Sequence, residues 1–160
     1  TERKRYYTES SDYQMIGGDI RDCNWLTSIP ERKCAIVVME GVSMYLTTTQ
    51  LKEFVTALSV HFEKIALMMD CYTVLAAKIS KYKNPINDVG VTQVYGLDDP
   101  KSLQNEELAY IKEHTMTPLK LIDELSGFEK HIFQKLYAGN LSKKLYRLFE
   151  YQKGQITVAG

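Results

Sequence analysis

The clearest signal along the chain is a change of hydrophobic period. Cys34-Ala35-Ile36-Val37-Val38-Met39 is an unbroken apolar run rich in β-branched residues. A run without alternation marks a strand covered on both faces, as in a parallel sheet. Ile65-Ala66-Leu67-Met68-Met69 repeats the pattern and ends at Asp70. Between the two runs the period becomes helical. Thr47 and Gln50 have the spacing of a capping box, in which each side chain satisfies a backbone amide at the other's position. Leu51, Phe54, Val55 and Leu58 then fall at i, i+3, i+4 and i+7, one apolar stripe, and the helix closes near His61 or Phe62. Strand, helix and strand in this order predict a βαβ unit with a right-handed crossover.

The flanks are less regular. Tyr13 to Ile16 reads as a short strand, and Gly17-Gly18 lets the backbone turn after it and approach a ligand closely. Asp22 can cap a helical turn through Trp25 and Leu26, with Pro30 beyond its end. Thr73 to Lys81 is a candidate helix. Asn84 to Leu103 holds Pro85, Gly90, Gly96 and Pro100 and reads as a long loop. Asn105 to His114 is expected to be a helix carrying Leu108 and Ile111, and Pro118 starts another, with Leu119, Ile122 and Leu125 facing the core and Gly127 ending it. Phe128 to Tyr137 is expected as a strand and Gly139-Asn140 as a turn. Leu145 to Gln152 fits both periods; a strand closing a terminal hairpin is the preferred reading.

Composition narrows the class. Lysine plus arginine equals aspartate plus glutamate at 20 each, so the formal net charge is zero. Nucleic acid and anionic membrane both call for a basic face, which this balance does not supply. Arg3-Lys4-Arg5 is short enough to be a solvated helix end. No stretch approaches the ~18 apolar residues of a membrane span, and no signal segment is expected. The three cysteines, Cys23, Cys34 and Cys71, are odd in number and widely spaced, against a disulfide framework or a metal clip. A reducing cytoplasm is the expected compartment.

Two acids then take on meaning. Asp19 follows the Gly17-Gly18 turn, and Glu40 caps the Cys34 to Met39 strand at its carboxyl end. Open parallel sheets bind ligands in the crevice outside the carboxyl ends of their strands. A carboxylate there can accept from an adenine amino group, and the neighbouring N–H of Ile20 can donate to a ring nitrogen. The same acids, taken singly, are ordinary solvated strand ends.

Gly18-Asp19-Ile20-Arg21-Asp22, then Trp25-Leu26, then Glu40-Gly41-Val42-Ser43-Met44-Tyr45-Leu46 resembles the leucine carboxyl methyltransferase family, which also holds bacterial O-methyltransferases of polyketide biosynthesis. The resemblance runs from about Arg3 to Gln152. It implies S-adenosylmethionine as cofactor. It places Asp19 and Ile20 at the adenine, Glu40 beside the methionine and ribose, Gly41 at a close backbone approach, and Tyr45 near cofactor and substrate. It implies an α/β fold, a Rossmann-like sheet of class I methyltransferase type with flanking helices and strand order 3-2-1-4-5-7-6. The chain would be the C-terminal part of one such domain, with residues 72–118 as a variable lid segment. The family's glycine-rich loop and following ribose-binding acid have no counterpart here, so the first two strands are expected to be missing. The Cys34 to Met39 strand would then be an apolar edge, open to self-association or to pairing with the missing N-terminal half.

The implied activity is O-methylation of a small-molecule carboxyl or hydroxyl group. A carboxylate acceptor needs no base; a hydroxyl benefits from one, and His114 is the candidate. Gly41-Val42-Ser43 has the start of a serine nucleophile elbow, but Tyr45 stands where that motif needs glycine. Two rivals remain: another nucleotide-binding Rossmann-like enzyme, such as one using NAD, and a structural, strand-exchanged fragment without activity.

Overall fold

A computed structural model of the chain describes residues 3–30, 33–80, 93–115, 117–134 and 144–155. It is a mixed α/β structure: a four-stranded open sheet with flanking helices, consistent with a partial Rossmann-like fold. The elements are β1 (Cys34–Met39), α1 (Thr48–His61), β2 (Lys64–Tyr72), α2 (Val74–Ser80), β3 (Ala109–His114), α3 (Leu119–Asp123), α4 (Gly127–Ile132) and β4 (Tyr146–Lys153), with short 3-10 turns between.

The strand order is β1-β2-β4-β3. β1 and β2 are parallel, with Val37 opposite Leu67 and Met39 opposite Met69. β4 runs antiparallel to both β2 and β3. Matched to the implied 3-2-1-4-5-7-6 series, this is its 4-5-7-6 half.

The central βαβ unit forms as its pattern dictates. The Thr47 hydroxyl accepts from the Gln50 amide at 3.2 Å, and the Gln50 side chain accepts from the Thr47 amide at 2.9 Å. Leu51, Phe54, Val55 and Leu58 are all buried. They pack on one face of the sheet, against Ile65, Leu67, Met69, Phe149 and Tyr151. The Asp22 carboxylate caps a 3-10 turn over Cys23–Ser28, which sets Trp25 against Phe54.

The other face is open. β1 was expected to be covered on both sides, yet Ile36 is 64% and Val38 70% exposed, and the strand alternates in burial. The continuous apolar run therefore has half its side chains without cover. β1 is also an edge strand, paired only with β2 among the described residues.

Several expectations are corrected. Tyr13 to Ile16 forms no strand, and the Met15 amide donates to the Glu9 side chain at 2.8 Å. A four-residue strand needs a neighbour for its amides, and none of the described strands pairs with it. Asn105 to His114 is not helical: β3 begins at Ala109. The register with β4 slips between Tyr110 and Lys112, leaving Ile111 as an extra residue. Leu108 and Ile111 stand three apart in the sequence, as on a helical stripe, but Leu108 precedes the strand and is buried while Ile111 is exposed. Phe128 begins a helical turn rather than a strand, at 79% exposure. Gly127, at φ +64°, opens α4 instead of ending α3. β4 is the expected strand, but it pairs with β2 and β3 and makes no hairpin with 128–134. The Gly139-Asn140 turn lies outside the described residues, as does most of the first half of the 84–103 loop.

Candidate functional site

The carboxyl ends of β1 and β2 lie side by side, and one buried side chain joins them. Asp70, next to the end of the apolar run in β2, points to the open side of the sheet with its carboxylate buried. Both its oxygens accept from the Gly41 amide, at 3.0 and 2.8 Å. Its Oδ2 also accepts a short hydrogen bond from the Tyr146 hydroxyl at the start of β4. Its carbonyl accepts from the Ser43 hydroxyl. One aspartate thus ties the turn after β1, the end of β2 and the start of β4 together. Asp70 looked from sequence like no more than a strand terminus. The strand in fact runs on to Tyr72, because Cys71 returns to the core face.

The turn so held is the expected one. Gly41 sits at φ +68°, where L side chains are strained, and the space its Cβ would enter is open. Glu40 is exposed at the rim. It lines a cavity of about 270 Å³ with Val38, Met39, Met68, Asp70, Tyr146 and Leu148. A 3-10 turn, Ser43–Tyr45, follows; Met44 is buried below it and Tyr45 is exposed. The committed, buried Ser43 hydroxyl removes the serine-nucleophile reading.

Asp19 and Ile20 come from a separate segment and do not line the Glu40 cavity. Arg21 grips Asp19 with Nε at 2.9 and 3.0 Å and Nη2 at 2.5 Å. These bonds, with that from the Arg21 amide, bring the Asp19 carboxyl down to about 2. It is ionised throughout the neutral range, with Arg21 as its partner. Ile20 packs its side chain against the main core. Gly18 is needed for a different close approach from the one expected: a Cβ there would meet Cβ of Trp25 at 2.9 Å.

Over 103 residues the chain is 30% identical to the tetracenomycin polyketide synthesis O-methyltransferase TcmP of Streptomyces glaucescens. The matched region is 64% of this chain and 38% of that protein, so the chain spans well under half of its relative. No family model and no solved structure matches.

His114 is a strand residue, not a helix end. Its Nε2 lies 2.6 Å from Oε2 of Glu150, which Lys112 also approaches at 3.8 Å. It lines neither the Glu40 cavity nor the apolar cavity beside Tyr146. Burial works to raise the Glu150 carboxyl, but hydrogen bonds from His114 and Gln152 outweigh it and hold the carboxyl low. No group of histidine, cysteine, aspartate and glutamate among the described residues is arranged to hold a metal ion. No helix among them is long and apolar enough to cross a membrane.

Proposed function

We propose that this chain is part of an S-adenosylmethionine-dependent O-methyltransferase acting on a small-molecule carboxyl or hydroxyl group. The observation that carries the reading is the similarity to the Streptomyces O-methyltransferase. The Glu40–Gly41 turn, at the carboxyl end of a parallel strand, supports the reading.

The residues there suit the cofactor. An exposed carboxylate, Glu40, complements a sulfonium's positive charge and can accept from ribose hydroxyls. Gly41 leaves open room beside a backbone that no side chain fills. When bound, S-adenosylmethionine supplies an electrophilic methyl group. The chain's own part is to position it: Asp70 fixes the Gly41 amide, and Tyr45 stands on the turn beside it. Asp19 and Ile20 are assigned to the adenine, an assignment that requires Arg21 to share or release the Asp19 carboxylate.

Ultraviolet crosslinking with methyl-tritiated S-adenosylmethionine tests the reading. Label on the chain that S-adenosylhomocysteine displaces and NAD does not supports it. Displacement by NAD alone favours the rival nucleotide-binding enzyme, and no label at all favours the structural fragment. The chain spans well under half of its Streptomyces relative, so turnover by the whole protein belongs to the proposal.

A further inference from the structure

Gly41 belongs to the turn after β1 and Tyr146 opens β4, yet one buried carboxylate joins them. We propose that Tyr146 is a positioning residue for the cofactor, acting through Asp70 on the Gly41 amide rather than by contacts of its own. The inference rests on the methyltransferase reading and adds to it a residue from outside the turn.

Three observations carry it. First, Asp70 is 3% exposed, and among the described residues its carboxylate accepts from two donors, the Gly41 amide and the Tyr146 hydroxyl. A buried charge is tolerated only where hydrogen bonds replace its hydration. Without the hydroxyl, one neutral amide would have to hold it. The carboxylate then turns toward water in the Glu40 cavity, which it already lines, and the Gly41 amide that spans both its oxygens turns with it. Second, packing does not hold Gly41. It sits at φ +68°, and a Cβ there would meet nothing within 4 Å. The next anchor of the turn, from the Ser43 hydroxyl to the Asp70 carbonyl, lies two residues on. Third, Tyr146 is fixed without its hydroxyl. Thr73 ties the start of β4 to the end of β2: its amide donates to the Leu145 carbonyl at 3.1 Å and its hydroxyl to the Lys144 carbonyl at 2.6 Å. Tyr72 meets the Tyr146 ring edge to face at 5.6 Å. Strand and ring therefore set the hydroxyl, and the hydroxyl sets Asp70. Burial, ahead of the bond to Asp70, raises the ionisation of Tyr146, so it keeps its proton and stays a donor through the neutral range.

The test compares the 160-residue chain with Tyr146→Phe, which keeps the ring and removes the donor. The readouts are amide hydrogen exchange without ligand and calorimetry with S-adenosylhomocysteine. In the variant the Gly41 amide is expected to exchange about tenfold faster and S-adenosylhomocysteine to bind about tenfold more weakly, the scale of one hydrogen bond to a buried charge. The amides of Val55 and Leu67, both in the core, should exchange as before; a uniform rise there would mark a general loss of stability and overturn the positioning role. Val55→Ala, which thins the core and leaves the turn alone, should lower the urea midpoint without changing the affinity. Asp70→Asn should weaken binding at least as much as Tyr146→Phe, and the double variant should be no worse than Asp70→Asn, because one residue acts through the other. Additive losses overturn the route through Asp70. Gly41 exchange indifferent to Tyr146→Phe overturns the coupling, even if Asp70→Asn fails to fold. Faster Gly41 exchange in a chain that binds no S-adenosylhomocysteine in any form overturns the cofactor role and the methyltransferase reading, and leaves the coupling itself intact.

Discussion

Asp70 accepts from Gly41 and Tyr146 with almost no access to water. Removing the charge leaves these donors with a weaker or missing acceptor. Asp70→Asn is therefore expected to destabilise the chain by about 1–3 kcal/mol, the usual range for an unsatisfied buried group, measured by urea denaturation. The thiols differ just as sharply. Burial, first of all, pushes the Cys71 thiol up to about 11, while Cys34 is exposed on the edge strand. With iodoacetamide near neutral pH, mass spectrometry should find Cys34 labelled and Cys71 untouched until the chain is unfolded. At this scale the sequence marked Glu40 and Gly41 through their motif. Asp70 escaped notice because its role depends on two partners 29 and 76 positions away. No local spacing encodes such contacts.

At the scale of elements, the order and position of the βαβ unit were legible, because its period, its cap and its strand runs agree, while the exposed face of β1 and the extension of β2 to Tyr72 were not. The cap is testable: Thr47→Ala loses the hydroxyl acceptor for the Gln50 amide and should cost about 1 kcal/mol in thermal or denaturant unfolding. Where pattern misled, local geometry explains it. The i, i+3 spacing of Leu108 and Ile111 suggested a helix, but the chain is a strand from Ala109 and only Leu108 is buried. Tyr13 to Ile16 has strand-like residues but pairs with no strand among the described residues. The segment around Gly96 read as plain loop, yet it runs along the end of β2: the Leu97 amide donates to the Tyr72 carbonyl at 2.7 Å and the Tyr95 amide to the Met44 carbonyl at 2.7 Å. A Cβ on Gly96 would stand 2.3 Å from the Thr73 carbonyl oxygen. Gly96→Ala must move backbone, so it should lower the melting temperature more than Gly17→Ala, whose added Cβ meets nothing within 4 Å.

For the whole molecule, the strand order β1-β2-β4-β3 is consistent with part of a doubly wound sheet, with one face covered and the other open at β1. Ile36 and Val38 on that face adjoin the unpaired edge of β1. Such an edge invites another strand, so the chain is expected to self-associate. Sedimentation should show a concentration-dependent dimer that Val38→Lys shifts toward monomer; a monomer at all concentrations would contradict this. Alkaline stability also follows from the whole core. Burial, ahead of other causes, raises the ionisation of both Tyr146 and Tyr151 above the ordinary tyrosine value. The folded state then holds these protons more tightly than the unfolded chain. Their contribution is complete below the unfolded value of about 10 and is lost as pH climbs above it toward the folded values. Urea midpoints should be steady to about pH 9 and fall beyond pH 10.

The central claim is that the turn after β1 is a cofactor turn. Amide resonances of the isotopically labelled chain, followed during addition of S-adenosylhomocysteine, test it most directly. The account predicts saturable shifts concentrated at Glu40, Gly41 and Tyr45, with a second group at Asp19 and Ile20, and none with NAD at equal concentration. Shifts that avoid Glu40 and Gly41, or that NAD reproduces, would contradict it.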